Sequence, residues 1–364
     1  MKALHTTITS AGELVLELRD IELPAPKGNQ VVIKLEAAPI NPSDLILVTG
    51  PADLTTARRD GDRLVANVPK ERLAYVAGRL DQAMPAGNEG AGTVVDAGPE
   101  ARDLIGKRVA VASGGTYAEY KLALGIECLV LPDGATAADG AAATINPLTA
   151  LAMPEVMRRE GHAALVHTAA ASNLGQMLVK ICKADRVPLV NIVRKVEHVA
   201  LLRDLGATHV VDSSTPSFRT DLIAAIAETG ATLAFDAIGG GSLASTILTC
   251  MEVVAARGKP WNRYGTNVHK QVYIYGRLDM SPTILDGSFG LAYGVDGFLV
   301  STFMAKAGME TVQRMRTRIR AELTTTFASH FGKTIGLADI LDPAVLRDVS
   351  QRATGAKALV EPNR

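Results

Sequence analysis

The run Leu165-Val166-His167-Thr168-Ala169-Ala170-Ala171-Ser172-Asn173-Leu174-Gly175-Gln176 sets an apolar strand, a turn of small residues and a helix start in immediate succession. Leu174, Met177, Leu178 and Ile181 recur at i, i+3, i+4 and i+7, so the helix carries one apolar face. Such a turn lets backbone N–H groups and a helix N-terminus approach a pyrophosphate closely. A second apolar run, Val190-Asn191-Ile192-Val193, leads into Arg194 and Lys195, where an acid would bind a ribose 2′-hydroxyl. A carboxylate there would repel a 2′-phosphate, whereas a guanidinium pairs with it bidentately. These residue types predict NADP(H) as the cofactor. The dinucleotide fingerprint G-x-G-x-x-G is met only loosely, with Gly175 at one glycine position and Ala170 and Asn173 standing for the other two. Asn tolerates a left-handed backbone better than other non-glycine residues, so Asn173 is expected to make the turn.

Positioning such a turn takes a parallel sheet, and the apolar runs supply one. Strands are expected at Leu165-His167, Leu189-Val193, His209-Val211, Leu233-Ala237, Val272-Tyr275 and Phe298-Ser301, with helical segments between most of them. Six strands in that rhythm predict a doubly wound α/β domain over 138–302. Residues 1–137 read differently, as short apolar runs (Val31-Leu35, Gly92-Val95, Lys107-Val111, Cys128-Leu131) punctuated by Gly, Pro and Asn. That spacing predicts an antiparallel, barrel-like domain. Residues 303–364 carry a charged helix around 314–322 and strand signals at Thr334-Leu337 and Lys357-Val360, read as a return to the first domain. The run 51–86 has no clear period and is expected to be a loop or helical excursion.

Composition narrows the function classes. A chain of 364 residues, 47% hydrophobic, is long enough for two domains with large cores. Lys plus Arg equals Asp plus Glu at 38 each, so no net field recruits nucleic acid or an anionic membrane. Cys128, Cys182 and Cys250 sit in apolar segments at no metal-ligand or disulfide spacing and read as buried thiols. The N-terminus turns polar at once, and no apolar run reaches the roughly 20 residues of a membrane span. A cytoplasmic protein is expected. Arg314, Arg316, Arg318 and Arg320 form the densest basic run, read as a solvated helix face.

Four further motifs occur in order: Ala37-Ala38-Pro39-Ile40-Asn41-Pro42-Ser43-Asp44-Leu45, Gly87-Asn88-Glu89-Gly90-Ala91-Gly92, Gly115-Thr116-Tyr117-Ala118-Glu119-Tyr120 and Asn146-Pro147-Leu148-Thr149-Ala150. With the nucleotide turn, Tyr275-Gly276 and the terminal Ala353-Thr354-Gly355-Ala356-Lys357, they resemble the medium-chain dehydrogenase/reductase superfamily. Within it they look closest to zinc-independent quinone oxidoreductases and 2-enoyl thioester reductases. The resemblance implies a GroES-like β-barrel catalytic domain, a Rossmann domain, a nicotinamide held between them, and homodimers built through the Rossmann sheet edge.

Zinc-using relatives supply a Cys where Asn41-Pro42-Ser43-Asp44 stands and a His where Asn88 precedes Glu89. A carboxamide is a poor Zn²⁺ ligand, so no metal is expected. Without a Lewis acid, alcohol oxidation is disfavoured, and reduction of an activated C=C bond is the leading expectation. The substrate would be an enone or enoyl thioester, with a quinone as the alternative and a low-turnover NADPH-binding protein as a third reading. The resemblance implies that Asn41 lines the nicotinamide pocket, where its amide could donate to a carbonyl oxygen; the alternative is an Asn ordering the turn before Pro42. It implies cofactor contacts at Thr149, at Ala171, Ser172, Asn173, Leu174 and Gly175 in the turn, at Arg194 and Lys195, at Gly239 after the fourth strand, and at Tyr275, Gly276 and Phe298. Asp44 and Glu89 read as polar scaffold. Enoyl reductases carry a tyrosine after a glycine shortly beyond the Asn-Pro-Ser-Asp motif, but here Gly50 is followed by Pro51, Ala52 and Asp53. Tyr75 and Tyr117 are the candidate replacements as general acid, each also readable as a packing residue, and solvent is the simpler proton source. His167 and His269 are given no catalytic role.

Overall fold

The computed structural model describes residues 1–351 and 357–364, so of the run Ala353-Thr354-Gly355-Ala356-Lys357 only Lys357 is among the described residues. The chain divides into two compact units, one of Met1–Ile145 with Thr317–Arg364 and the other of Asn146–Arg316. The sequence-based divisions at 137/138 and 302/303 lie upstream of both boundaries.

The first unit is built on two sheets. A seven-stranded sheet runs in the order Leu129–Val130, Arg108–Val111, Gly90–Ala97, Gln30–Pro39, Ala358–Glu361 and Lys333–Gly336, with Tyr120–Leu124 also paired to Gln30–Pro39. Gln30–Pro39 shows why: Val31, Ile33 and Leu35 are fully buried while Lys34 is exposed, the period of two that fits a strand with one face inward. Its end pairs with the C-terminal strand through Leu359↔Pro39 and Val360↔Ala38, and the Ile40 N–H donates to the Ala358 carbonyl at 2.9 Å. Chain ends far apart in sequence therefore meet beside Asn41. The second sheet has five strands, in the order Asp53–Asp60, Arg63–Asn67, Glu13–Asp20, Lys2–Ile8 and Met84–Pro85.

That sheet corrects the expectation for 51–86. The segment's first half is a β-hairpin, Asp53–Asp60 with Arg63–Asn67, where a loop or helix was expected, and its second half is helical, a 3₁₀ stretch over Lys70–Arg79. Asp60 pairs with Arg63 around Gly61-Asp62, and Gly61 takes the left-handed φ of +63° that the tight turn needs. Leu64, Val65 and Ala66 are buried against the neighbouring strand, whereas the edge strand carries Arg58, Arg59 and Asp60 outward. Charge on an edge strand blocks unwanted pairing and also hides its period.

The second unit is a six-stranded, wholly parallel sheet in the order His209–Asp212, Leu189–Val193, Leu165–His167, Leu233–Asp236, Lys270–Ile274 and Tyr293–Gly297. Five strands match expectation, and the sixth does not. Phe298-Ser301 is not a strand: the strand is Tyr293–Gly297, and a helix occupies Val300–Ala307. Two glycines and an aspartate give Tyr293–Gly297 a low β-propensity, and its edge position leaves it half exposed. The apolar signal further on belongs instead to an aromatic cluster, with the Phe298 ring edge-on to Phe235 at 5.2 Å and 6.2 Å from Phe303. Among the described residues, no helix is long and apolar enough to cross a membrane.

Candidate functional site

In the second unit, strand order reverses between Leu165–His167 and Leu233–Asp236, since the chain winds from the first of these toward one edge and later returns to build toward the other. Ligands of doubly wound sheets sit outside the carboxyl ends of the strands at such a reversal. The segments expected to hold a cofactor lie at those carboxyl ends: the turn after His167, Arg194 and Lys195 after Val193, Gly239 after Asp236, Tyr275 and Gly276 after Ile274, and Phe298 after Gly297. Thr149 lies buried in the helix Ile145–Arg159.

The turn is made differently from the expectation. Asn173 is the first residue of the helix Asn173–Asp185, and the left-handed residue is Ala169, at φ +49°. Ser172, three residues before Gly175, occupies the middle fingerprint position that Asn173 was expected to fill. It serves as N-cap, its Oγ accepting from the Gly175 N–H at 3.2 Å. Gly175 itself is required by space, because a Cβ there would lie 2.2 Å from the Ala170 carbonyl oxygen. Ala171 and Leu174 are buried, while Arg194 and Lys195 are exposed, with Lys195 Nζ 3.8 Å from Glu197.

A polar clamp closes the reversal point. Thr168 Oγ1 donates to Asp236 Oδ1 at 2.6 Å and accepts from the Ala237 N–H at 2.8 Å. Asp236 also accepts from the N–H groups of Ile238 and Gly239, both at 3.0 Å. A backbone turn that would otherwise offer its N–H groups to solvent is thus fixed by one buried carboxylate. Next to it, His167 Nε2 lies 2.7 Å from the Tyr275 hydroxyl. Burial pushes the His167 pKa down to about 3, and burial together with Asp236 raises that of Tyr275. Sequence reasoning assigned nothing to Thr168, Asp236 or His167; the available signal was a polar residue at the end of each fully apolar strand.

The first unit holds a separate buried cluster around Asn41. Asn41 is 3% exposed and precedes the helix Pro42–Val48; its main-chain N–H donates to Asp44 Oδ2 at 2.7 Å. Its side chain does not cap the helix. Nδ2 donates to Glu89 Oε1 at 2.9 Å, and Oδ1 is buried with no hydrogen-bond partner among the described residues. Glu89 accepts further at Oε2 from the Thr144 N–H (3.1 Å), the Thr144 hydroxyl (2.6 Å) and the Ile145 N–H (2.8 Å). Asp44 Oδ1 accepts from the Asn88 N–H at 2.8 Å. Burial, reinforced by Glu89, pushes the Asp44 pKa up to about 7, against the two N–H groups that favour its charged form. Lys357, just before the C-terminal strand Ala358–Glu361, adds a cation: its Nζ is buried without a hydrogen-bond partner among the described residues and lies 5.6 Å from the centroid of the Phe331 ring. Burial lowers its pKa, while Glu89 and Asp44 resist that shift.

The candidate acids fare unequally. Tyr117 is 1% exposed, and its hydroxyl donates to the Pro39 carbonyl at 2.9 Å. Burial, with Asp44 and Glu89 adding, raises its pKa well above the ordinary tyrosine value, which makes it a poor acid. Tyr75 is 84% exposed on the 3₁₀ stretch. Arg314 and Arg318 of the basic run are paired with Glu155 and Glu322, both at 3.0 Å. Among the described residues, no group of three or more His, Cys, Asp and Glu side chains is arranged to hold a metal ion.

Comparison with known proteins places this geometry. No family model matches the chain. It is 29% identical over 211 residues to a mitochondrial enoyl-[acyl-carrier-protein] reductase of Xenopus tropicalis, covering 54% of this chain and 52% of that protein. The chain spans about half the length of the first curated relatives it matches. Among solved structures, the quinone oxidoreductase of Escherichia coli complexed with NADPH aligns over 100% of both chains with a TM-score of 0.70, at 16% identity, a likeness of fold. A Mesorhizobium loti protein described as an NADPH:quinone reductase aligns over 100% of this chain and 98% of its own, with 30% identity and a TM-score of 0.74. The chain belongs to the medium-chain dehydrogenase/reductase superfamily, together with its quinone reductase relative, and has the GroES-like and Rossmann domains of that fold.

Proposed function

We propose that the protein is an NADPH-dependent, zinc-independent reductase of an activated C=C bond in an enone or enoyl thioester. The observation that carries the reading is the second unit's site: a glycine-restricted turn and a helix N-terminus at the strand reversal, with Arg194 and Lys195 at the end of the neighbouring strand. The residues fit NADPH, which supplies a hydride when bound. The turn over 169–175 offers backbone N–H groups to a pyrophosphate, and Arg194 offers a guanidinium to a 2′-phosphate. Gly239, Tyr275, Gly276 and Phe298 lie on the other side of the reversal, and Thr149 adds a hydroxyl to the same unit.

Zinc does not fit. Asn41 and Asn88 present carboxamides where thiolate or imidazole would be needed, and the Asn88 side chain donates to Ser43 Oγ at 3.2 Å. Asn41 keeps its second amide hydrogen for a carbonyl oxygen and its bare Oδ1 for an N–H donor. With Tyr117 closed off, protonation of the α-carbon is assigned to solvent, and Tyr75 is the remaining side-chain candidate. Quinone reduction is the second reading, favoured by the Mesorhizobium loti relative. The reading includes a cytoplasmic location, in keeping with three buried cysteines that are not in disulfides, and a homodimer through the edge strand Tyr293–Gly297.

The test is NADPH oxidation across 2-alkenals, enones, short enoyl-CoAs and quinones, alongside NADPH affinity. Turnover with the alkenes is expected. Tight NADPH binding without oxidation of any of them would sink both enzyme readings.

A further inference from the structure

His167 ends the first strand of the parallel sheet, with its side chain fully buried. Its ring stacks on that of Tyr275, with centroids 5.7 Å apart and planes inclined by 17°, and Nε2 lies 2.7 Å from the Tyr275 oxygen. The contact reaches past the strand Leu233–Asp236 to join the carboxyl ends of Leu165–His167 and Lys270–Ile274. The other ring nitrogen, Nδ1, is buried without a partner among the described residues. His167 is wholly buried, so an Nδ1–H would find no acceptor, whereas the half-buried Tyr275 can turn its own O–H to solvent; the proton is therefore assigned to Nε2, which donates to Tyr275. Burial keeps the ring neutral through the physiological range.

What Tyr275 holds is backbone. A Cβ on Gly276 would lie 2.6 Å from the Ala237 carbonyl oxygen, and one on Gly239 would lie 2.7 Å from the Gly276 oxygen. The loops after the fourth and fifth strands therefore touch, and a shift of Tyr275 moves both. The Thr168–Asp236 clamp fixes the 237–239 loop from one side, and His167 fixes Tyr275 from the other. A dinucleotide lies across the reversal point with one nucleotide half on each side. Arg194 marks the side of the adenosine 2′-phosphate, which leaves the 237–239 and 275–276 loops to the nicotinamide-ribose half.

We propose that His167 is a positioning residue: by holding the Tyr275 hydroxyl it fixes these two loops as the seat of the nicotinamide-ribose half of the cofactor. The inference rests on the reading that this unit binds NADPH. The experiment titrates wild type, His167→Phe, Tyr275→Phe and the double variant with NADPH and with 2′,5′-ADP, which has only the adenosine half. Each single variant should weaken NADPH roughly tenfold and leave 2′,5′-ADP within about twofold. The double variant should be no weaker than either single one, because both remove the same contact. In wild type, the ¹⁵N spectrum of His167 should show a protonated Nε2 and a bare Nδ1. Tyr275→Phe removes a single oxygen and keeps the test decisive if His167→Phe does not fold. Unchanged NADPH affinity in Tyr275→Phe, equal weakening of 2′,5′-ADP, or additive losses would each overturn the inference. A wild type that binds neither probe overturns the cofactor reading itself, and the inference with it.

Discussion

The Asn41 Nδ2 donates to Glu89 Oε1 at 2.9 Å, and that contact decides which end of the carboxamide is left bare. A carboxylate accepts and cannot donate, so the amide is turned with its oxygen away from Glu89. Replacing Asn41 with Asp would set two carboxylates together in a buried site, whereas Ala only removes a hydrogen bond. Asn41→Asp should therefore be less stable than Asn41→Ala at pH 7, by on the order of 2–4 kcal/mol in urea unfolding. Equal stabilities would mean that Glu89 does not orient the amide as a carboxylate.

Asp44 gives the fold a pH signature of definite sign. Its folded pKa is raised from 3.8 to about 7, so the native state holds this proton more tightly than the unfolded chain does. The stabilisation from protonation is complete below the unfolded value and is lost as pH rises through the folded one. Unfolding free energy should therefore carry a downward contribution between about pH 4 and 7, of a few kcal/mol at most. In Asp44→Asn that slope should vanish, whatever the absolute stability. An unchanged slope in chemical unfolding from pH 4 to 8 would assign the proton elsewhere. In Lys357→Met the same transition should move to higher pH, since a cation that favours ionised Asp44 is gone.

Arg194 is exposed just after the strand Leu189–Val193, the position the proposed cofactor reading gives to the 2′-phosphate. Arg194→Ala should weaken NADPH about tenfold to a hundredfold, the value of a charge-assisted contact, and leave NADH nearly unchanged. Equal losses for both cofactors in fluorescence titrations would show that Arg194 does not read the 2′-phosphate.

What could be read in advance depended on range. Parallel strands buried on both faces spell near-continuous apolar runs, so Leu165–His167, Leu189–Val193 and Leu233–Asp236 declared themselves. Edge strands did not: Asp53–Asp60 hides its period behind charge, and Tyr293–Gly297 behind glycine. The strand–turn–helix unit over 165–185 was local and legible, although Ala169 rather than Asn173 bends the turn. Contacts across sequence were out of reach. Asn41 and Glu89 are 48 residues apart and His167 and Tyr275 are 108 apart, and neither pair has a spacing that a pattern could carry. Tyr117 was visible as a tyrosine, but its hydroxyl partner, the Pro39 carbonyl, was not.

Two substitutions within the turn should act in opposite directions. Ala169 holds a φ of +49°, which costs an L-residue roughly 1–2 kcal/mol, and glycine escapes that cost while gaining some freedom in the unfolded chain. Ala169→Gly should therefore be neutral to about 1 kcal/mol stabilising, with NADPH binding retained. Gly175 is the reverse case. A Cβ there would meet the Ala170 oxygen at 2.2 Å and the Ala170 Cα at 2.8 Å, both backbone atoms held by the turn itself. The helix start would have to move off the turn, costing about 2 kcal/mol or more and spoiling the N–H geometry offered to a pyrophosphate. Thermal unfolding and NADPH titration of the two variants separate these effects. A Gly175→Ala protein with wild-type stability and affinity would mean that the helix does not pack on the turn as closely as the backbone contacts require.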